Sequence, residues 1–62
     1  MEKIVVGVDD NSLFNVSKGK KCKIIKSFWE NGEGWYKLKD IQNGEIFESP
    51  DIFWELEIKE EN

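Results

Sequence analysis

The sequence contains no histidine and no arginine, and only one cysteine and one proline. Each shortage removes a class of function. Without histidine, no side chain has an unperturbed pKa near neutrality to serve as a catalytic base. With Cys22 as the lone thiol, no disulfide can form within the chain. A tetrahedral zinc site would lack its usual ligands, so neither a structural metal nor a cofactor is expected. The missing arginine removes the planar fork that reads bases and phosphates in bidentate fashion. No apolar run approaches the roughly 20 residues needed to span a bilayer. The opening "MEKIVVGVDDN" turns acidic without a long apolar segment. Together with the lone cysteine, this gives the expectation of a cytoplasmic protein without a membrane partner.

What the chain does have is aromatic mass and charge. Three Trp, four Phe and one Tyr stand among 62 residues. A chain of this length makes at most one domain and buries only about 60% of the surface its unfolded form exposes. Each aromatic can bury roughly 150–250 Å², so a few of them can replace missing cross-links. The expectation is a single domain over 1–62, structured over about 3–58, with 59–62 as a fraying tail. Thirteen acids outnumber nine lysines, giving a net charge of −4.

Local patterns read as strands almost throughout. Ile4, Val6 and Val8 alternate with Val5 and Gly7, which is period two. "DDNS" breaks that run with turn-forming side chains. In "KKCKIIKSFW", Cys22, Ile24 and Phe28 share one parity, and Lys21, Lys23, Ser27 and Trp29 the other. "ENGEG" suits a five-residue connection, whereas Asn43-Gly44 predicts a two-residue type I′ hairpin. Ser49 is placed as an N-cap and Pro50 as the first residue of a 3₁₀ turn, before "WELEIKE" alternates again. β-branched and aromatic residues dominate the apolar positions, so a helical reading fails. Five short strands around one tight hairpin predict an all-β fold closed into a small barrel. Its interior is expected to hold Ile4, Val6, Val8, Val16, Cys22, Ile24, Tyr36, Leu38, Phe47, Leu56 and Ile58.

This order of features resembles an SH3-like barrel, with five strands and one 3₁₀ turn before the last. "VSKGKKCKII" is similar to the lysine-glycine lead into that family's second strand. "EGWYKLKD" resembles the acidic-Gly-Trp-aromatic opening of its third strand, and "ESPDIFWEL" its strand-Pro-x-x-aromatic turn. The chain also resembles the short SH3-like proteins of Firmicute bacteria and their phages, which implies a phage-like accessory or inhibitor protein. In signalling SH3 domains, aromatics of the first loop, the Trp and the 3₁₀ aromatic cradle a proline-rich helix. Trp35 and Phe53 match the last two. The first-loop tyrosines are absent, because "GVDDNSLF" offers Asp9 and Asp10 there. The resemblance therefore implies the fold and an interaction role, and not recognition of polyproline.

Residue chemistry leads to the same place. Cys22 lies mid-strand on the apolar parity, where a thiol behaves as a small hydrophobe, and acid pairs such as Glu30/Glu33 and Asp9/Asp10 read as solvating loop charges. A non-enzymatic protein is expected. Phe28, Trp29, Trp35, Phe53 and Trp54 exceed what one small core readily hides, and Trp29, Trp35, Phe53 and Trp54 are the candidate residues for binding a protein partner or a second copy. Lys18, Lys20, Lys21, Lys23 and Lys26, with Lys37 and Lys39 on the next strand, form an alternative surface for single-stranded nucleic acid. Acids concentrate in the last third, from Glu45 to Glu61, and that surface could dock a basic protein.

Overall fold

A computed structural model describes residues 3–57. Five strands follow in order: β1 (Ile4–Gly7), β2 (Lys21–Glu30), β3 (Glu33–Asp40), β4 (Ile46–Pro50) and β5 (Trp54–Leu56). Short 3₁₀ turns occupy Ser12–Phe14 and Asp51–Phe53. The described residues contain no α-helix. All strand pairs are antiparallel, in the spatial order β4-β3-β2-β1-β5.

The all-β expectation holds, but the sheet is not closed into a barrel. β4 and β5 are its two edges. Side chains, rather than ladder hydrogen bonds, connect them. The Trp54 ring lies 6.1 Å from that of Phe47, and its Nε1–H donates to Ser49 Oγ at 2.9 Å. Ser49 is therefore not the expected N-cap. It is fully buried beneath the indole, and Pro50 occupies the cap position of the second 3₁₀ turn.

Two turns exchange the roles assigned to them. Asn31 and Gly32 both have positive φ, 53° and 77°, and they join β2 to β3 as the two-residue type I′ hairpin. At the other Asn-Gly, only Gly44 has positive φ. That connection has five residues, 41–45, between β3 and β4. The Asp40 amide donates to the Glu45 carbonyl and the Gly44 amide to the Asp40 carbonyl, both at 2.8 Å. Carboxylate and amide oxygens stiffen it: Asp40 Oδ1 accepts from the Gln42 amide and Asn43 Oδ1 from the Glu45 amide. Such side-chain acceptors stabilise a wider turn that the dipeptide alone does not reveal.

The core is small. Val5, Val16, Cys22, Leu38 and Trp54 are buried, with Phe14, Ile24, Tyr36, Phe47 and Phe53 packed half-buried against them. Val16, Cys22 and Leu38 match expectation. β1 carries the opposite phase, with Val5 and Gly7 inside, Ile4 and Val6 half-buried, and Val8 exposed. "IVVGV" is apolar on both parities, so hydrophobicity cannot fix its register. Close approach decides it. A Cβ on Gly7 would collide with the Ser17 carbonyl oxygen, so only glycine fits there facing inward. Leu56, at the end of an edge strand, is exposed, and Ile58 and the expected tail 59–62 lie outside the described residues.

One irregularity positions the surface residues. The β2–β3 register steps from Ile24↔Leu38 to Lys26↔Lys37, leaving Ile25 as an extra residue. This β-bulge shifts the parity of everything after it. Phe28 moves to the lysine face, and Trp29 moves to the face of Cys22 and Ile24. Trp29 nevertheless lies beyond the end of the core and is 74% exposed.

Candidate interaction surface

Beyond the bulge, β2 and β3 present three successive rungs on one face: Lys26 opposite Lys37, Phe28 opposite Trp35, and Glu30 opposite Glu33. Lys23 opposite Lys39 continues this face on the near side of the bulge. β4 adds Ile46, Glu48 and Pro50 beside Lys39, Lys37 and Trp35. Glu30 and Glu33 are therefore strand residues flanking the tight turn, not loop charges.

Trp35 is half-buried within a row of rings. The Phe28 ring stacks 6.3 Å away, tilted by 16°. The Phe14 ring meets it edge-on at 5.8 Å. Phe14 in turn stacks 5.8 Å from Phe53. Trp35 and Phe53 thus belong to one surface, joined through Phe14. Phe14 escaped the sequence reading because the first loop opens on the acids Asp9 and Asp10, where the resemblance places its rings. The local signal is "NSLFN". Asn11 caps the 3₁₀ turn by accepting the Leu13 amide, and Asn15 closes it in the left-handed conformation at φ 60°. Asn tolerates that conformation better than most residues. The short turn aims Phe14 at Trp35.

The four aromatics proposed as contacts do not form one site. Trp54 is only 5% exposed and belongs to the core. Its surplus bulk fills the gap between the two sheet edges. Trp29 stands apart at the hairpin end. It lines a cleft of about 330 Å³ with Gly34, Pro50, Asp51 and Ile52. A Cβ on Gly34 would collide with the Asp51 carboxylate, so the second 3₁₀ turn sits directly on this glycine. Burial, and then the Asp51 charge, raise the pKa of the neighbouring Tyr36 hydroxyl; both disfavour a phenolate.

The lysines divide as well. Lys20 Nζ donates to the Asn15 carbonyl at 2.9 Å, lies 3.6 Å from Asp40 Oδ2, and sits 4.8 Å over the Phe47 ring. It is a structural residue tying the first loop to the sheet. Lys21 pairs with Glu57 at 3.0 Å. Lys18 belongs to the loop, where its amide donates to Asp10 Oδ1. Lys23, Lys26, Lys37 and Lys39 remain together on the β2–β3 face. A second, more polar cleft of about 580 Å³ separates Ser17–Lys21 from Asp40–Gln42. The Lys20–Asp40 pair already occupies its wall.

Cys22 has no exposed surface. Burial first, and then the nearby Asp40 charge, push its thiol pKa up to about 11, while Lys20 pulls the other way. The group is held protonated and inaccessible. Among the described residues, no cluster of three or more Cys, Asp or Glu side chains is arranged to hold a metal ion, and no helix is long and apolar enough to cross a membrane. No family model matches the chain, and neither does any curated protein or solved structure.

Proposed function

We propose that the chain is a small non-enzymatic protein-interaction module of SH3-like type, working through the row Trp35, Phe14 and Phe53. The observation that carries this reading is the placement of Phe14, 5.8 Å from both of the other rings. Three aromatics from β3, the first loop and the second 3₁₀ turn converge on one partly exposed surface, bounded by lysines and acids. An apolar centre with a polar rim is the usual anatomy of a protein-binding patch. The strand order β5-β1-β2-β3-β4, with a 3₁₀ turn immediately before β5, supports the SH3-like assignment. Phe14 supplies the first-loop ring that the resemblance calls for.

The nucleic-acid reading draws support from the two all-lysine rungs beside Phe28 and Trp35. It is the weaker of the two. Lys20 and Lys21 are engaged in ion pairs, and Glu48 stands beside Lys37. The test is capture of a partner from host lysate by immobilised wild type and by the Trp35→Ala and Phe14→Ala variants, each first shown to be folded. A protein retained by wild type and lost from both variants supports the reading. Equal capture by all three baits overturns it.

A further inference from the structure

We infer that the outer face of the β2–β3 hairpin is self-complementary and that its partner is a second copy of this chain. This deepens the proposed function and rests on it, since Trp35 is common to both. Two rungs of this hairpin are unfavourable within one molecule. Lys26 lies directly opposite Lys37, and Glu30 directly opposite Glu33. Like charges at opposed positions of an antiparallel pair destabilise it. Exchanging one lysine with one glutamate would turn both rungs into ion pairs, yet the chain keeps the charges separated by sign. Among the described residues no ion pair involves Glu30, Glu33, Lys26 or Lys37; Lys20–Asp40 and Lys21–Glu57 form elsewhere.

The spacing is what makes the face self-complementary. Between the basic rung and the acidic rung lies a single apolar one, Phe28 opposite Trp35, two residues from each on either strand. Place a two-fold axis across the strands, in the plane of the face, through that apolar rung. Rotation reverses strand direction and brings two hairpins face to face. Lys26 then meets Glu30 of the second copy and Lys37 meets its Glu33, and each contact occurs twice. The interface is isologous, which closed dimers require. The half-buried Phe28 and Trp35 rings, stacked within each copy, supply its apolar centre. Sheets pack face to face about 10 Å apart, a gap that two aromatic layers fill. Glu48, beside Lys37, is the one acid in the basic rung, and it lies one strand outward on β4. A chain whose core cluster, among the described residues, is Val5, Val16, Cys22, Leu38 and Trp54 gains from any further burial.

The experiment is sedimentation of wild type and two double variants over a concentration series at low and high salt. In Lys26→Glu/Lys37→Glu the face carries two acidic rungs. In Glu30→Lys/Glu33→Lys it carries two basic ones. Wild type should self-associate at low salt and dissociate as salt rises. Each double variant alone should be monomeric, and an equimolar mixture should recover association close to that of wild type. Dispersed amide spectra of the separate variants confirm that they are folded. The proposal is overturned if wild type stays monomeric throughout, if either variant self-associates like wild type, or if the mixture does not associate. It is also overturned if wild type binds a single-stranded oligonucleotide through Lys26 and Lys37 without self-associating. The double variants leave Phe14 and Phe53 intact. Capture of a foreign protein through the aromatic row can therefore persist when self-association fails, which separates the two readings.

Discussion

The Trp54 indole N–H donates to Ser49 Oγ at 2.9 Å, and this contact links the two edges of an open sheet. Both groups are buried. In Ser49→Ala the indole donor loses its acceptor in a site closed to water, at a cost of about 1–3 kcal/mol. For a domain of this size, each kcal/mol lowers Tm by roughly 4–8 °C. Trp54→Phe should cost less for the lost hydrogen bond, because Ser49 Oγ still donates to the Pro50 carbonyl at 3.3 Å. Thermal melts of the two variants and of the double variant test the coupling, and strictly additive losses would contradict it.

Trp35→Ala should behave differently from Trp54→Ala. Removing Trp35 forfeits two ring contacts, with Phe14 and Phe28, worth about 0.5–1.5 kcal/mol each. The domain should remain folded while association weakens by about 2 kcal/mol or more. Trp54→Ala opens a core cavity and should cost about 3–5 kcal/mol, enough to unfold a marginal domain. Urea midpoints for both variants decide the matter, and equal losses would place Trp35 in the core.

Gly32→Val should destabilise more than Gly44→Val. Both glycines have positive φ, 77° and 80°, a conformation that β-branched residues resist. Gly32 sits in a two-residue connection held by Glu30 and Glu33. Gly44 belongs to a five-residue connection that can redistribute strain. Denaturant midpoints should rank in that order, and the reverse ranking would contradict the assigned turns.

Stability should fall in the alkaline range through Cys22. Burial holds its thiol pKa at about 11 in the folded chain, against 9.0 in an open one. Between those values the folded state keeps a proton that the unfolded state has lost. Stability is therefore fully present below the unfolded pKa and declines as pH rises through the folded one. Tyr36, also raised, contributes in an overlapping window. Comparing wild type with Cys22→Ala isolates the thiol. The variant should lose less stability between about pH 9 and 11, and identical slopes would show that the thiol is not responsible.

Alternating β-branched and aromatic residues made the strand content legible, because period two is written in side chains. The second 3₁₀ turn was legible from "SPDIF", as was the burial of Cys22 and Leu38. What escaped depends on backbone facts that side-chain identity does not encode. The phase of β1 rests on the contact of Gly7 with the Ser17 carbonyl. The wider turn after β3 depends on Asp40 and Asn43 accepting local amides. Closure was expected from strand number, yet β5 has three residues and meets β4 only through Trp54 and its neighbours. Of the surface, Trp35 and Phe53 were legible by resemblance. Phe14 was hidden behind an acidic loop, and the division of the lysines required the register.

The extra residue at Ile25 has a consequence for how such a surface changes over generations. Strand phase is counted in backbone residues, so the bulge determines which of the adjacent Phe28 and Trp29 is displayed on which side. Deleting residue 25 would straighten the strand and leave Lys26, Phe28 and Glu30 opposite Lys37, Trp35 and Glu33, because the unpaired residue is the one removed. Drawing Ile25 into the ladder instead would exchange the faces of Phe28 and Trp29, and of Lys26 and Ser27, without altering any side chain. A lineage could thus redraw the surface of this hairpin by gaining or losing one irregularity in backbone pairing, faster than by replacing its side chains one at a time.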